Sequence, residues 1–152
     1  MMHTEYGKLY VVATPIGNLE DLSERAKQTL MKVDWIATED TRHSQHLLQH
    51  CHVQKKLYSL HSFNEKKQSP LLIDYLKSGQ NGALLSDAGT PLLSDPGFHF
   101  IQEAHKNNIK VVAIPGPCAA ITALSVLAVQ DGPFWFEGFL PPKSHARQTR
   151  LE

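Results

Sequence analysis

Short apolar segments alternate with segments of helical spacing along most of the chain. Apolar and β-branched runs predict strands at 9–14, 34–38, 57–60, 82–86 and 110–114, with a possible sixth at 134–139. Between the five strands, helical spacing predicts helices at 22–33, 41–51, 69–76, 96–107 and 117–129. This alternation indicates an α/β fold, a mostly parallel open sheet with helices on both faces.

Local start and stop signals refine the helix limits. Asp95 followed by Pro96 predicts an N-cap and a first helical residue, so that a helix begins at 96. Ser78 and Gly79 are typical of a helix end, which closes the third helix.

Composition bounds the class of protein. The chain has 152 residues, and its 15 basic side chains balance its 15 acidic ones, so any nucleic-acid contact must be local. Cys51 and Cys118 match no disulfide framework or metal spacing, and no apolar run approaches a membrane span. We therefore expect a soluble cytoplasmic protein without a membrane partner.

Three predicted strands end in loops rich in glycine and proline, at 14–18, 86–91 and 114–120. Ligands of open parallel sheets bind beyond the carboxyl ends of the strands, although tight turns of any such fold would give a similar pattern. The three loops lack lysine and arginine, and the chain has neither a dinucleotide fingerprint nor a phosphate loop. Their backbone groups and Asp87 suit an adenosine with a zwitterionic tail and no phosphate.

Five ordered motifs carry a family resemblance that covers about residues 8 to 147. They are LYVVATPIGNLEDLSERA, ATEDTR, LLSDAGTPLLSDPG, IPGPCAAITAL and FEGFLPPK. Together they resemble the small-subunit ribosomal RNA methyltransferase I family, within the tetrapyrrole-methylase superfamily of S-adenosylmethionine enzymes. The resemblance implies methyl transfer from S-adenosylmethionine to the ribose 2′-hydroxyl of a cytidine in 16S rRNA.

The resemblance also implies a two-domain protein whose cofactor folds into the cleft between the domains. We expect residues 1–139 to form the S-adenosylmethionine-binding domain and residues 140–152 to be a linker toward a second domain absent from this chain. The expected cofactor contacts are Pro15, Ile16, Gly17, Asp87, Ala88, Gly89, Thr90, Leu93, Cys118 and Ala119. The superfamily has an acidic residue where Thr90 stands, and the family favours a second histidine where Phe63 stands.

Methyl transfer to a hydroxyl needs alignment and a group that accepts the proton. Glu39 or Asp40 is the candidate base, and Arg42 is a candidate RNA contact. The alternative is structural: Asp40 or Thr41 caps the next helix, and Arg42 pairs with a surface acid.

Two further clusters are candidates for function. Lys143 and Arg147 lie in a basic segment near three aromatic residues and could position RNA, or could belong to a solvated linker. His43, His46 and His50 share one helical face without a second pair of ligands, so we expect a polar face and no metal.

Two other functions stay open. One is a tetrapyrrole or other small-molecule methylase of the same superfamily, and the other is a noncatalytic nucleotide-binding or dimerisation domain. We expect 16S rRNA in the small ribosomal subunit as the partner and a homodimer as the assembly. The chain alone should bind the cofactor weakly and turn over poorly or not at all.

Overall fold

A computed structural model describes residues 5–128 and 132–152 of the chain. The chain divides into two compact units, Met1–Ala119 and Ala120–Glu152. None of the helices in the described ranges has the length and apolar character that crossing a lipid bilayer requires.

The first unit contains a sheet of five parallel strands. The strands are β1 (Leu9–Val12), β2 (Trp35–Thr38), β3 (Lys56–Ser59), β4 (Gly82–Leu85) and β5 (Val111–Ile114). Their order is β3-β2-β4-β1-β5, and every pairing is parallel. The five predicted strands and the parallel sheet are confirmed.

Helices follow the strands in the predicted alternation. They are α1 (Glu24–Lys32), α2 (Thr41–His50), α3 (Glu65–Lys77), α4 (Phe98–Lys106), α5 (Ala119–Val126) and α6 (Ser144–Leu151), with a short 3-10 turn at Leu19–Asp21. The predicted sixth strand is wrong: residues 134–139 form no strand, and Trp135 and Phe139 are exposed. An aromatic run becomes a strand only where a neighbour pairs with its backbone, and residues 132–152 offer no such strand.

Both faces of the sheet are covered, as the sequence predicted. Leu30 of α1 and Leu47 of α2 pack on one face against a buried cluster that includes Leu85. Leu72 of α3 and Phe100 of α4 pack on the other face, in a second buried cluster that includes Leu84 of the same strand. Successive side chains of a strand point to opposite faces, so the central strand β4 contributes to both cores.

The start of α4 corrects the sequence analysis. Asp95 is not its N-cap; the helix begins after Gly97, whose φ of 120° is a conformation that favours glycine. Gly97 has no side chain that could accept a hydrogen bond from the first turn of the helix. Glu65, which is only 8% exposed, does so instead: its carboxylate accepts a hydrogen bond from the Phe100 backbone N–H at 2.8 Å. Burial of this carboxylate is compatible with the fold because it satisfies a free helix amide.

Glu65 is also the first residue of α3, which starts four residues before the predicted 69. Pro70 lies inside the helix, where its missing N–H leaves one helical hydrogen bond unmade. The Ser69 hydroxyl donates to the Glu65 carbonyl at 2.7 Å and thereby helps to hold this first turn. Glu65 therefore joins the starts of two helices.

We expect Glu65→Ala to lower the free energy of unfolding by about 1–3 kcal/mol, because it leaves a buried helix amide without its acceptor. Urea denaturation measures this change, and Glu65→Gln should lose less because it keeps an acceptor oxygen. Glu24→Ala, at an exposed position in α1, is the matched control. Equal stability of the Glu65→Ala and Glu24→Ala variants would contradict the assigned role.

Candidate active site

The strand order creates a switch point between β1 and β4. These two strands are neighbours, but β1 leads to α1 on one face of the sheet and β4 leads to α4 on the other. Connections that diverge in this way leave a crevice at the carboxyl ends of the strands, which is where open α/β sheets bind ligands.

The loops that leave β1 and β4 are joined by a reciprocal pair of backbone hydrogen bonds. The Thr14 N–H donates to the Gly89 carbonyl at 2.9 Å, and the Gly89 N–H donates to the Thr14 carbonyl at 3.1 Å. The buried hydroxyls of Thr14 and Ser86 reinforce this junction, since Thr14 donates to the Ser86 carbonyl at 3.1 Å and Ser86 to the Gly89 carbonyl at 2.6 Å. The carboxyl edge is thus fixed by buried bonds.

The third loop joins the same junction. The Thr90 hydroxyl donates to the Pro117 carbonyl at 3.1 Å, across the loops after β4 and β5. Gly89 has a φ of 81°, and a Cβ there would lie 3.4 Å from Ile16 Cγ2 and 3.6 Å from the Pro117 carbonyl oxygen. The three loops therefore lie together at the carboxyl edge of the sheet.

A cavity of about 380 Å³ opens beside this junction. Its lining comes from the loop after β1 (Thr14, Pro15, Gly17, Leu19), from α2 (His43, Ser44, His46, Leu47) and from the loop after β4 (Ser86, Asp87). Its volume lies within the range of about 300–1,000 Å³ that is usual for small-molecule sites.

The predicted cofactor residues divide into three groups. Pro15, Gly17 and Asp87 line the cavity. Ile16, Gly89 and Thr90 lie at the contact between the loops, and Ala88 is exposed on the same turn. The remaining three are Leu93, Cys118 and Ala119, so only Pro15, Gly17 and Asp87 of the ten predicted residues line the cavity.

His43 is a cavity residue that the sequence analysis assigned to a merely polar face. Its Nε2 lies 3.0 Å from the Asp87 carbonyl oxygen, and its ring lines the cavity. The buried hydroxyls of Thr38 and Ser44 are hydrogen-bonded to each other and join the end of β2 to the first turn of α2. The sequence did contain an indication of this role. His43 lies in the first helical turn after the predicted strand 34–38, and residues at the carboxyl ends of such strands often line ligand sites.

Acidic side chains gather at this edge of the sheet. Partial burial raises the pKa of Glu39, and the charges of Asp87, Asp95 and Asp40 raise it further, while His61 acts in the opposite direction. Partial burial and Asp87 also raise the pKa of Asp95. The edge therefore has a negative field, which favours a cationic ligand and disfavours a phosphate.

Asp40 is the N-cap of α2, which confirms the structural role given above as the alternative to a catalytic one. Its carboxylate accepts from the Arg42 backbone N–H at 2.9 Å, and this bond lowers the pKa of Asp40, helped by the Arg42 guanidinium 3.5 Å away. The Arg42 side chain is 90% exposed, so this ion pair contributes little to stability. Glu39 is left as the exposed carboxylate of the motif without a capping role.

The basic residues of the second unit lie on and beside α6. Lys143 immediately precedes the helix, and the Arg147 guanidinium donates to the Pro142 carbonyl at 3.2 Å. Arg150 forms an ion pair with Glu137, which also accepts from the Trp135 indole N–H at 2.7 Å. The segment predicted as a linker therefore contains a short basic helix.

Comparisons with known proteins identify relatives of this chain. The chain is 53% identical over 146 residues to the ribosomal RNA small subunit methyltransferase I of Haemophilus influenzae, covering 96% of this chain and 52% of that protein. It is 52% identical over 151 residues to the protein of that name in Pasteurella multocida, covering 99% of this chain and 54% of that protein. The chain thus spans about half the length of these relatives.

Among solved structures, uroporphyrin-III C-methyltransferase from Thermus thermophilus matches with a TM-score of 0.61 at 22% identity, covering 82% of this chain and 53% of that one. The fold and the edge site define an α/β domain of the class that places its ligand sites at the carboxyl ends of parallel strands. The chain belongs to the tetrapyrrole (corrin/porphyrin) methylase family, whose model matches residues 8–131.

We expect Glu39→Gln to raise the free energy of unfolding at pH 7. The pKa of Glu39 is raised above 4.5 in the folded chain, which therefore binds this proton more tightly than the unfolded chain does. Stability is consequently lost as the pH rises through the window that begins at 4.5, and the neutral variant avoids that loss. The gain is small because Glu39 is exposed.

Thermal or urea denaturation from pH 4 to pH 8 measures this effect, and the gain should shrink toward the acid end. Glu20→Gln removes the same charge from an exposed turn before α1 and is the matched control. A Glu39→Gln variant less stable than the wild type at pH 7 would contradict the assigned repulsion.

Proposed function

We propose that the chain carries the cofactor half of an S-adenosylmethionine-dependent methyltransferase that acts on the ribose 2′-hydroxyl of a cytidine in 16S rRNA. The observation that carries the proposal is a cavity at the switch point that is lined by the loops after β1 and β4 and by α2. The loop after β5 is hydrogen-bonded to the loop after β4, and none of the three loops contains a lysine or arginine. Two relatives that are 53% and 52% identical over the aligned 146 and 151 residues bear the name of a ribosomal RNA methyltransferase.

The residues present fit S-adenosylmethionine. This cofactor combines an adenosine with a cationic sulfonium and an ammonium, and the edge combines an apolar lining with the carboxylates of Glu39, Asp87 and Asp95. Gly17 and Gly89 have positive φ angles, so the backbone can follow a path that other residues would resist. When bound, the cofactor supplies an electrophilic methyl group on a positively charged sulfur.

Each residue of the edge has a role in this proposal. Asp87 stabilises the positive charge of the cofactor, and its carbonyl orients the His43 ring at the cavity wall. Glu39 accepts the proton of the 2′-hydroxyl, since a raised pKa makes a carboxylate a stronger base. Asp40 holds α2, and thereby His43, in position.

RNA contacts, assembly and location complete the proposal. Arg42, Lys143 and Arg147 contact the RNA backbone, because all three are exposed cations. The exposed aromatic side chains of the second unit, Trp135 among them, support a homodimer. A cytoplasmic location follows from the proposed ribosomal RNA substrate. Analytical ultracentrifugation tests the dimer.

A small-molecule methylase of the family is the second candidate. The solved tetrapyrrole methylase match is 22% identical, whereas the relatives named for ribosomal RNA are 52% and 53% identical, which favours the RNA substrate. A noncatalytic domain would retain the fold but show no preference for the cofactor.

We expect S-adenosylmethionine and S-adenosylhomocysteine to bind the chain in calorimetric titrations, and ATP not to bind. Asp87→Asn should weaken S-adenosylmethionine about tenfold, because a charge-assisted contact is lost. The same variant should lose less affinity for S-adenosylhomocysteine, because its neutral thioether replaces the sulfonium that Asp87 is proposed to face. Asp74→Asn, at an exposed site on α3, is the matched control. Preference for ATP would contradict the proposed function.

We expect the 152-residue chain to transfer little or no methyl group to 16S rRNA, and a version extended to the length of its relatives to transfer it readily. Incorporation of a labelled methyl group into isolated 30S subunits measures both. Digestion of the labelled RNA to nucleosides identifies the ribose of a cytidine as the acceptor. A labelled methyl group on a base would contradict the proposed substrate, and so would the absence of any labelled methyl group after reaction with the extended chain.

A further inference from the structure

The first unit has a second cavity, of about 530 Å³, between α2 and the edge strand β3. The floor is apolar, since Leu48 and Val53 are 3% and 6% exposed. The walls are polar: Gln45 and Gln49 stand one turn apart on α2, and Gln54 and Lys55 face them from the loop that leads into β3. None of these residues belongs to the cavity at the switch point.

The surroundings of this groove differ in charge from the rest of the chain. Residues 41–64 contain no aspartate or glutamate, although acids and bases balance over the whole sequence. Lys55 lines the groove, whereas the Lys56 ammonium lies 5.0 Å from the Tyr58 ring, which packs in the core of the opposite face. The nearest acid in sequence, Asp40, is held in the cap of α2 and by Arg42. Lys55 therefore gives the groove lining a positive charge, in contrast to the acidic edge around Glu39.

The chemistry of the groove matches one class of ligand. A nucleobase has apolar faces and a polar rim, which suit a leucine–valine floor and amide walls, since amides can both donate and accept at a base edge. Lys55 adds a charge for the phosphate that joins one nucleotide to the next. The volume lies in the range of small-molecule sites, so it can take an unstacked base.

The position of the groove connects it to the switch-point cavity. His43 and His46 of α2 line that cavity, whereas Gln45 and Gln49 of the same helix line the groove. A helix with its side chains is only about 10–12 Å across, a distance that an extended RNA strand covers in a few nucleotides.

We propose that this groove binds a single-stranded segment of the substrate RNA that flanks the methylated nucleotide, with the amides contacting an unstacked base and Lys55 a phosphate. The assignment rests on the proposed function, and it gives the acid-free segment 41–64 a role that the acidic edge cannot perform. The RNA is then held on one side of α2 while its ribose reaches the other.

Fluorescence anisotropy with a labelled single-stranded RNA of about ten nucleotides tests the groove on the 152-residue chain. Lys55→Gln should weaken binding several-fold and reduce the slope of log affinity against log salt by about one. The double variant Gln45→Ala/Gln49→Ala should weaken binding without changing that slope. Lys67→Gln on α3 and Gln102→Ala on α4, both exposed on helices of the opposite face, are matched controls and should bind as wild type.

Equal losses in the groove and control variants, or no loss in either, would overturn the proposal. It would also be overturned if the groove variants altered sedimentation instead of RNA binding, because the groove would then contact a second copy through β3. Calorimetry with S-adenosylhomocysteine separates the two hypotheses. If the chain binds S-adenosylhomocysteine but the groove variants keep wild-type RNA affinity, only the groove proposal is rejected. If the groove variants lose RNA affinity but the chain does not bind S-adenosylhomocysteine, the proposed methyltransferase function is rejected.

Discussion

The backbone pair between Thr14 and Gly89 is the constraint on which the site depends. It joins the loops of two strands whose helices pack on opposite faces, so it closes the base of the crevice that this topology opens. Gly89 meets the requirement because its φ of 81° is a backbone conformation that residues with side chains rarely adopt. The buried hydroxyls of Thr14 and Ser86 satisfy polar groups that would otherwise be costly there.

Charge is distributed unevenly over this small domain. Glu39, Asp87 and Asp95 make the switch-point edge negative, whereas the segment from 41 to 64 has no acid. A cationic cofactor and an anionic RNA need opposite fields, and a single helix, α2, separates the two regions. A net charge of zero thus conceals this local division of charge.

The sequence was sufficient for features that depend on local pattern and insufficient for those that depend on distant contacts. Strand periodicity and loop composition predicted the sheet and the three converging loops. The start of α4 could not be predicted, because its cap comes from Glu65, 35 residues away in sequence. The place of His43 in the cavity could not be predicted for the same reason, because its ring contacts Asp87, 44 residues away in sequence. The run at 134–139 had strand composition without a strand to pair with.

The central claim is that the crevice between β1 and β4 holds the cofactor. An amide NMR titration of the chain with S-adenosylhomocysteine tests it directly, because each backbone N–H reports its own surroundings. We expect the largest shifts at Gly17, Ser44, Asp87 and Gly89, with residues around Gln49 little affected. Saturable shifts confined to residues away from this edge, or no shifts at millimolar ligand, would contradict the claim.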